Sequence, residues 1–233
     1  MNPAPVLCPA SSILLAASRT GGGQQDPRVV LVIAASFVGL FVAGLLLVRR
    51  AQRQTCERLA ALASRLGLEL RRQPVRFGFE PTPTVEGQHR DRLVRFFTYT
   101  TGSRKSRMTW SAVSAALTSP RTFTLELCPE NFITRLVTAS GMQDIQVGNP
   151  EFDRAFIVRS NDPAYAAAAL LPEIRAKLLA QCPRTTCGAL TIKGGEARYT
   201  ETGSFDRQEQ IDRFAAMLEI LCELAEVAEV YPT

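Results

Sequence analysis

The residues that could do chemistry are few and scattered. His89 is the only histidine in the 233-residue chain. A triad or a zinc site would have to be built on it, yet it has no partner at ligand spacing, and zinc catalysis takes several His, Asp or Glu ligands. It lies in the polar run Gly87-Gln88-His89-Arg90-Asp91. That run has turn chemistry, and a solvated histidine is expected there. Cys182 and Cys187 bracket Pro183-Arg184-Thr185-Thr186. Four intervening residues suit a zinc pair, but no second pair follows. Asp144, Asp153 and Asp162 could supply carboxylates, although acid–base work needs two that meet in space with separated pKa values. Asp162 before Pro163 reads instead as a helix cap. Glycine-rich phosphate loops, G-x-S-x-G and HExxH are all missing from the sequence. No metal and no cofactor are expected.

The strongest pattern in the chain is one that places these residues. Val29 to Val48 reads VVLVIAASFVGLFVAGLLLV, 20 residues with no charge and one hydroxyl, Ser36. At about 1.5 Å per residue a helix of that length crosses the roughly 30 Å hydrocarbon core. A helix is required because it satisfies its own backbone groups in lipid. A signal peptide would be shorter and closer to the start. Arg49, Arg50, Arg53 and Arg58 follow the segment, whereas Arg19 and Arg28 precede it. The excess predicts an outer N-terminus and a cytoplasmic C-terminal domain. In a reducing compartment Cys182 and Cys187 are expected as free thiols; reversed orientation would allow a disulfide.

The rest divides readily. Residues 1–28 read as a flexible outer tail, 29–48 as the transmembrane helix and 49–67 as a juxtamembrane helix ending at Gly67. Residues 68–233 read as one cytoplasmic α+β domain. Period-two alternation predicts strands over Leu68–Arg71, Arg92–Thr100, Thr109–Leu117 and Thr122–Leu127, arranged as an antiparallel meander. Pro129–Ala139 reads as a short helix and Ala155–Arg159 as a strand. Helical character covers Tyr165–Leu171 and Pro172–Ala180. A Gly194-Gly195 hairpin joins Ala189–Lys193 to Glu196–Thr200. The last helix, about 206–230, carries an apolar stripe of Ile211, Phe214, Leu218, Leu221, Ala225 and Ala228 that should dock on the sheet. The fold class is thus α+β: a transmembrane helix, an antiparallel sheet with segregated helices and a C-terminal docking helix.

Charge and small residues point to partners. Residues 49–107 hold 14 basic against 5 acidic side chains, and 206–229 hold 7 acidic against 2 basic. Arg49, Arg50, Arg53 and Arg58 are candidate contacts to an anionic lipid surface. Ala35, Gly39 and Ala43 recur every four residues and form a candidate face for helix association, hence homodimerisation. Nucleic-acid binding is disfavoured, because no recognised module is present. The expected partners are the bilayer, a second copy and another envelope protein.

One segment carries a resemblance. Gly141-Met142-Gln143-Asp144-Ile145 is followed by Phe152-Asp153-Arg154-Ala155-Phe156 and Ser160-Asn161-Asp162-Pro163. It resembles a segment of bacterial membrane-anchored proteins that share a domain of unknown function. There a G-x-Q-D-I/V run precedes an F-D-x-x-F strand and an S-x-D-P helix start. The resemblance extends over roughly residues 85–230. It implies a bacterial source, a membrane anchor and an unknown activity, and offers no catalytic residue to carry over. From the residues themselves, Phe152, Phe156 and Ile157 are expected in the core. The reading these features favour is a membrane-tethered, non-enzymatic binding or scaffolding domain. The alternative is an enzyme with a pocket around His89, Asp144 and Asp153.

Overall fold

The computed structural model describes residues 27–72, 81–103, 106–129, 143–182 and 187–232. Two compact units divide the chain at Arg49–Arg50. Helix α1, Pro27–Leu66, contributes to both. In the first unit every described side chain from 31 to 49 is exposed, and the helix has a mean hydropathy of 2.8 over its apolar window. Among the described residues one helix, near the N-terminus, is long and apolar enough to span a membrane. The predicted juxtamembrane segment continues the same helix without a break. Gly67 ends it at φ +68°, where a side chain would be strained. Gly67 N–H donates to Ser64 O at 3.4 Å and Leu68 N–H to Ala63 O at 2.8 Å, which satisfies two orphan carbonyls.

The second unit is α+β. Its described strands are β1 Glu69–Arg71, β2 Thr84–His89, β3 Arg92–Thr101, β4 Met108–Ala116, β5 Leu125–Pro129, β6 Gln143–Ile145, β7 Phe156–Ser160, β8 Ala189–Lys193 and β9 Glu196–Thr202. They form one nine-stranded sheet in the order β1-β2-β3-β4-β9-β8-β5-β7-β6. Every pairing is antiparallel. The expected meander holds through β4 once β2, which is not among the expected strands, is placed between β1 and β3. The β8–β9 hairpin then inserts between β4 and β5, pairing Val113 with Tyr199 on one side and Leu127 with Leu190 on the other. Such long-range pairing leaves no local trace in sequence.

The expected turn at Gly87–Asp91 is also corrected. Gly87, Gln88 and His89 belong to β2, and the turn is Arg90-Asp91 alone, at φ 50° and 58°. Two positive φ values match the twist of a two-residue hairpin. Gly87 serves packing instead: a Cβ there would lie 3.3 Å from Leu68 Cα.

Helices α2 Pro150–Ala155, α3 Pro163–Ala169, α4 Pro172–Gln181 and α5 Gln208–Val230 complete the unit. The resembling F-D-x-x-F stretch is therefore not one strand. Phe152 and Asp153 lie in α2, Phe156 opens β7, and the two rings pack at 4.8 Å. The predicted Pro129–Ala139 helix is corrected at Pro129, which ends β5; its remainder lies outside the described residues.

One face of the sheet carries the main core. There the stripe Ile211, Phe214, Leu218, Leu221, Ala225 and Ala228 of α5 packs with Leu59, Leu62 and Ala63 of α1. Val113, Ala115, Leu125, Leu127 and Tyr199 join from the strands. Ile157, expected in this core, points the other way. It borders a smaller cluster of Trp110, Cys128 and Ala189, and Val158 takes the core position because side chains alternate along a strand.

Candidate functional site

The residues singled out from sequence do not converge. His89 closes β2, and its Nε2 lies 2.8 Å from Glu219 Oε1 on α5. Asp144 sits on the edge strand β6, where Oδ1 accepts from Arg159 Nε at 2.7 Å. Asp153 on α2 accepts the backbone N–H of Val147 at 2.9 Å. β2 and β6 are second and ninth in the strand order, so the sheet holds His89 and Asp144 apart. Each of the three is engaged in local structure.

Asp162 caps α3, accepting Tyr165 N–H at 3.0 Å. Ala35, Gly39 and Ala43 are exposed on α1, and a Cβ at Gly39 would meet nothing within 4 Å. Arg49, Arg50 and Arg53 are exposed, while Arg58 is half-buried and donates to the carbonyl of Asp206. Among the described residues no group of three or more His, Cys, Asp or Glu could hold a metal.

The expected free thiols are corrected. Cys182 and Cys187 form a disulfide with Cα atoms 4.9 Å apart. Cys182 ends α4, and Cys187 stands before Gly188, whose N–H donates to Tyr199 Oη at 2.9 Å. Helix end and strand start are thus brought together by the fold itself. Cys128 and Cys222 are buried thiols, and burial raises both above the usual range, Cys222 to about 11.

Two carboxylates that sequence reasoning passed over anchor α5. Glu201 on β9 is buried and accepts Arg213 Nε and Nη2 at 2.6 and 2.8 Å. It also accepts Tyr199 Oη at 2.7 Å and Gln210 Nε2 at 3.2 Å. Burial, then the Glu201 charge, pushes the Tyr199 phenol far up, so it stays a donor. At the other end of α5, Glu229 pairs through both oxygens with buried Arg92, the second contact at 2.7 Å. It also accepts Thr118 N–H at 2.7 Å. The Arg92 hydrogen bond holds the Glu229 carboxyl down at about 2.

Beside that second anchor the surface opens. Pro172 cannot continue α3, so the chain breaks after Leu170; Leu170 is buried and Leu171 stays 48% exposed. Across from it Val230, the last residue of α5, is 85% exposed. Ala168, Leu171, Val227, Val230, Tyr231 and Pro232 line a groove of about 480 Å³. Glu226, the one charged residue of its lining, lies 3.8 Å from Arg90.

Pro232 also lines a neighbouring cleft of about 310 Å³, with Thr122, Phe123, Asn161, Asp162 and Pro163. Both volumes fall in the range of small-ligand sites, about 300–1,000 Å³. The rings of Phe123 and Tyr165 stack at 3.7 Å, and Tyr231 meets them edge-on at 5.8 and 5.2 Å. Tyr231 donates from its hydroxyl to Asp162 Oδ1 at 3.4 Å. Asn161 holds the cleft wall by accepting Thr124 N–H at 2.6 Å and donating to Thr122 O at 3.1 Å. The sequence signal for the groove is the pair Leu171-Pro172, an apolar residue placed where a helix must break.

No protein-family model matches the chain, and no curated protein matches it. Among solved structures, the crystal structure of the mycobacterial trehalose monomycolate transport factor A, TtfA, is similar at 14% identity and a TM-score of 0.49. The match covers 77% of this chain and 97% of that one.

Proposed function

We propose that the protein is a membrane-tethered, non-enzymatic binding domain of a bacterial inner membrane, and that it binds through the groove at the C-terminal end of α5. The observation that supports this most is the exposure of Leu171 and Val230 around an apolar opening. Large apolar side chains grouped about a concavity are the usual mark of an interaction site. The anchor is the apolar half of α1. Alkaline extraction of membranes tests the tether: the chain stays in the pellet, and recovery in the aqueous fraction overturns that part. A benzophenone amino acid placed at Val230 tests the binding. Irradiation of native membranes should give one discrete adduct there and none from position 202 on β9; no adduct at 230 overturns the reading.

Orientation rests on the Arg49, Arg50, Arg53 and Arg58 excess, which supports a cytoplasmic domain and an outer N-terminus. The Cys182–Cys187 bond favours the reverse as a second reading, since disulfides persist outside the reducing cytoplasm. A reporter fused after Thr233 separates them: activity of one that works only when exported establishes the reverse. Homodimerisation through Ala35, Gly39 and Ala43 is part of the same proposal. Gly39→Ile should abolish self-association in a membrane two-hybrid assay, and unchanged association removes the dimer.

A further inference from the structure

The apolar groove and the polar cleft are neighbours with different chemistry. The groove offers aliphatic surface from Leu171, Val227 and Val230. The cleft offers Thr122, Asn161 and the Asp162 carboxylate. Pro232 lines both, so groove and cleft adjoin. The charges of the combined lining are Asp162 and Glu226, both acidic. Asp162 spends Oδ1 on Tyr165 N–H and Tyr231 Oη, and no hydrogen bond to its Oδ2 is among those of the described residues. A carboxylate oxygen of that kind accepts O–H or N–H donors and repels a phosphate or carboxylate.

We infer that groove and cleft form a single site for a membrane amphiphile: its alkyl chain lies in the groove, and a non-anionic head bearing O–H or N–H donors faces Asp162. This rests on the binding-domain reading above and names the ligand class. A ligand dissolved in the membrane that also holds the protein is presented at a raised effective concentration, so a modest site suffices. Specificity comes from the acidic lining, because an anionic head would be left unpaired against Asp162. The chain contributes through area: each methylene buried in the groove is worth about fourfold in affinity.

The test uses the full chain in phosphatidylcholine nanodiscs with two diazirine-bearing probes of equal chain length, a dodecyl glucoside and a dodecyl phosphate. Labelling is read by mass spectrometry on the segments around 168–171 and 227–232. Labelling of α1 within the bilayer reports dissolved probe and serves as the reference. The glucoside should label those segments about tenfold more than the phosphate does. Val230→Asp should cut glucoside labelling about tenfold; Val230 is so exposed that the fold should tolerate the change. Asp162→Asn keeps the helix cap, since Asn caps as well as Asp, and removes the charge. It should raise phosphate labelling several-fold. Hexyl, octyl and decyl glucosides should compete with rising strength along the series.

Equal labelling by both probes in the unaltered protein overturns the inference, as does labelling that Val230→Asp leaves unchanged. Failure of the underlying reading looks different: there position 230 gives no adduct in native membranes. A chain that gives the adduct but takes no glucoside overturns only the ligand assignment.

Discussion

The two ends of α5 are held by the same device and finished differently. At the N-terminal end Arg213 meets Glu201, and Tyr199, Gln210 and Gly188 close the set around it. At the C-terminal end Arg92 meets Glu229, with Thr118 N–H as a further donor and Arg121 bonding the Glu229 carbonyl at 2.5 Å. Directly after Glu229 the chain turns apolar, exposed at Val230 and Pro232 and half-buried at Tyr231. The opening at this end is therefore not a loosely held terminus. It sits on a rigid anchor, which is what a binding surface needs to stay formed while empty.

The contrast can be broken from either side. Removing the deeper carboxylate should cost most: Glu201→Ala strands Arg213 and the Tyr199 hydroxyl, at about 3–5 kcal/mol. The denaturation midpoint of the detergent-solubilised chain measures it. Glu229→Ala should cost about 3 kcal/mol, since Arg92 is left buried without its partner. It should also weaken binding at the groove, whereas Glu201→Ala in the folded fraction should not.

The pH dependence separates the ends further. The Glu229 carboxyl titrates at about 2 in the fold and near 4.3 when unfolded. Its folded pKa is depressed, so its contribution is complete above about pH 4.3 and is lost as pH falls towards 2. Glu229→Gln should flatten the stability curve in that window, and a curve unchanged from the parent would refute the pairing. Cys182→Ser with Cys187→Ser opens a short loop near the Glu201 end and should cost about 2 kcal/mol by loop-closure entropy. Least of all, Val230→Ser should move the midpoint by no more than about 0.5 kcal/mol, as surface changes do, while lowering groove labelling.

What the sequence made legible was local. The Asp162-Pro163 cap, the Gly194-Gly195 hairpin and the apolar stripe of α5 each depend on residues within a few positions of one another. The Arg90-Asp91 turn escaped because Gly87 drew attention three residues too early, although Gly87 answers to Leu68 packed against it. The insertion of β8–β9 beside β4 escaped because Val113 and Tyr199 are 86 positions apart and nothing near either one records the other. The groove escaped for the same reason: its walls come from the α3–α4 break and the end of α5, which only the tertiary fold brings together. His89, Asp144 and Asp153 looked like chemistry because of residue type, and the fold gives each a structural neighbour.

Leu59, Leu62 and Ala63 share their core with Phe214, Leu218 and Leu221. About 150 residues of synthesis separate the two sets, or roughly 8–30 s at ribosomal speed. Through that interval the nascent segment that holds Leu59 waits without its mate, while the apolar stretch just upstream is already complete. Under the proposed tether, insertion of that stretch into lipid precedes closure of the globular part, because the helix that completes the core is made later.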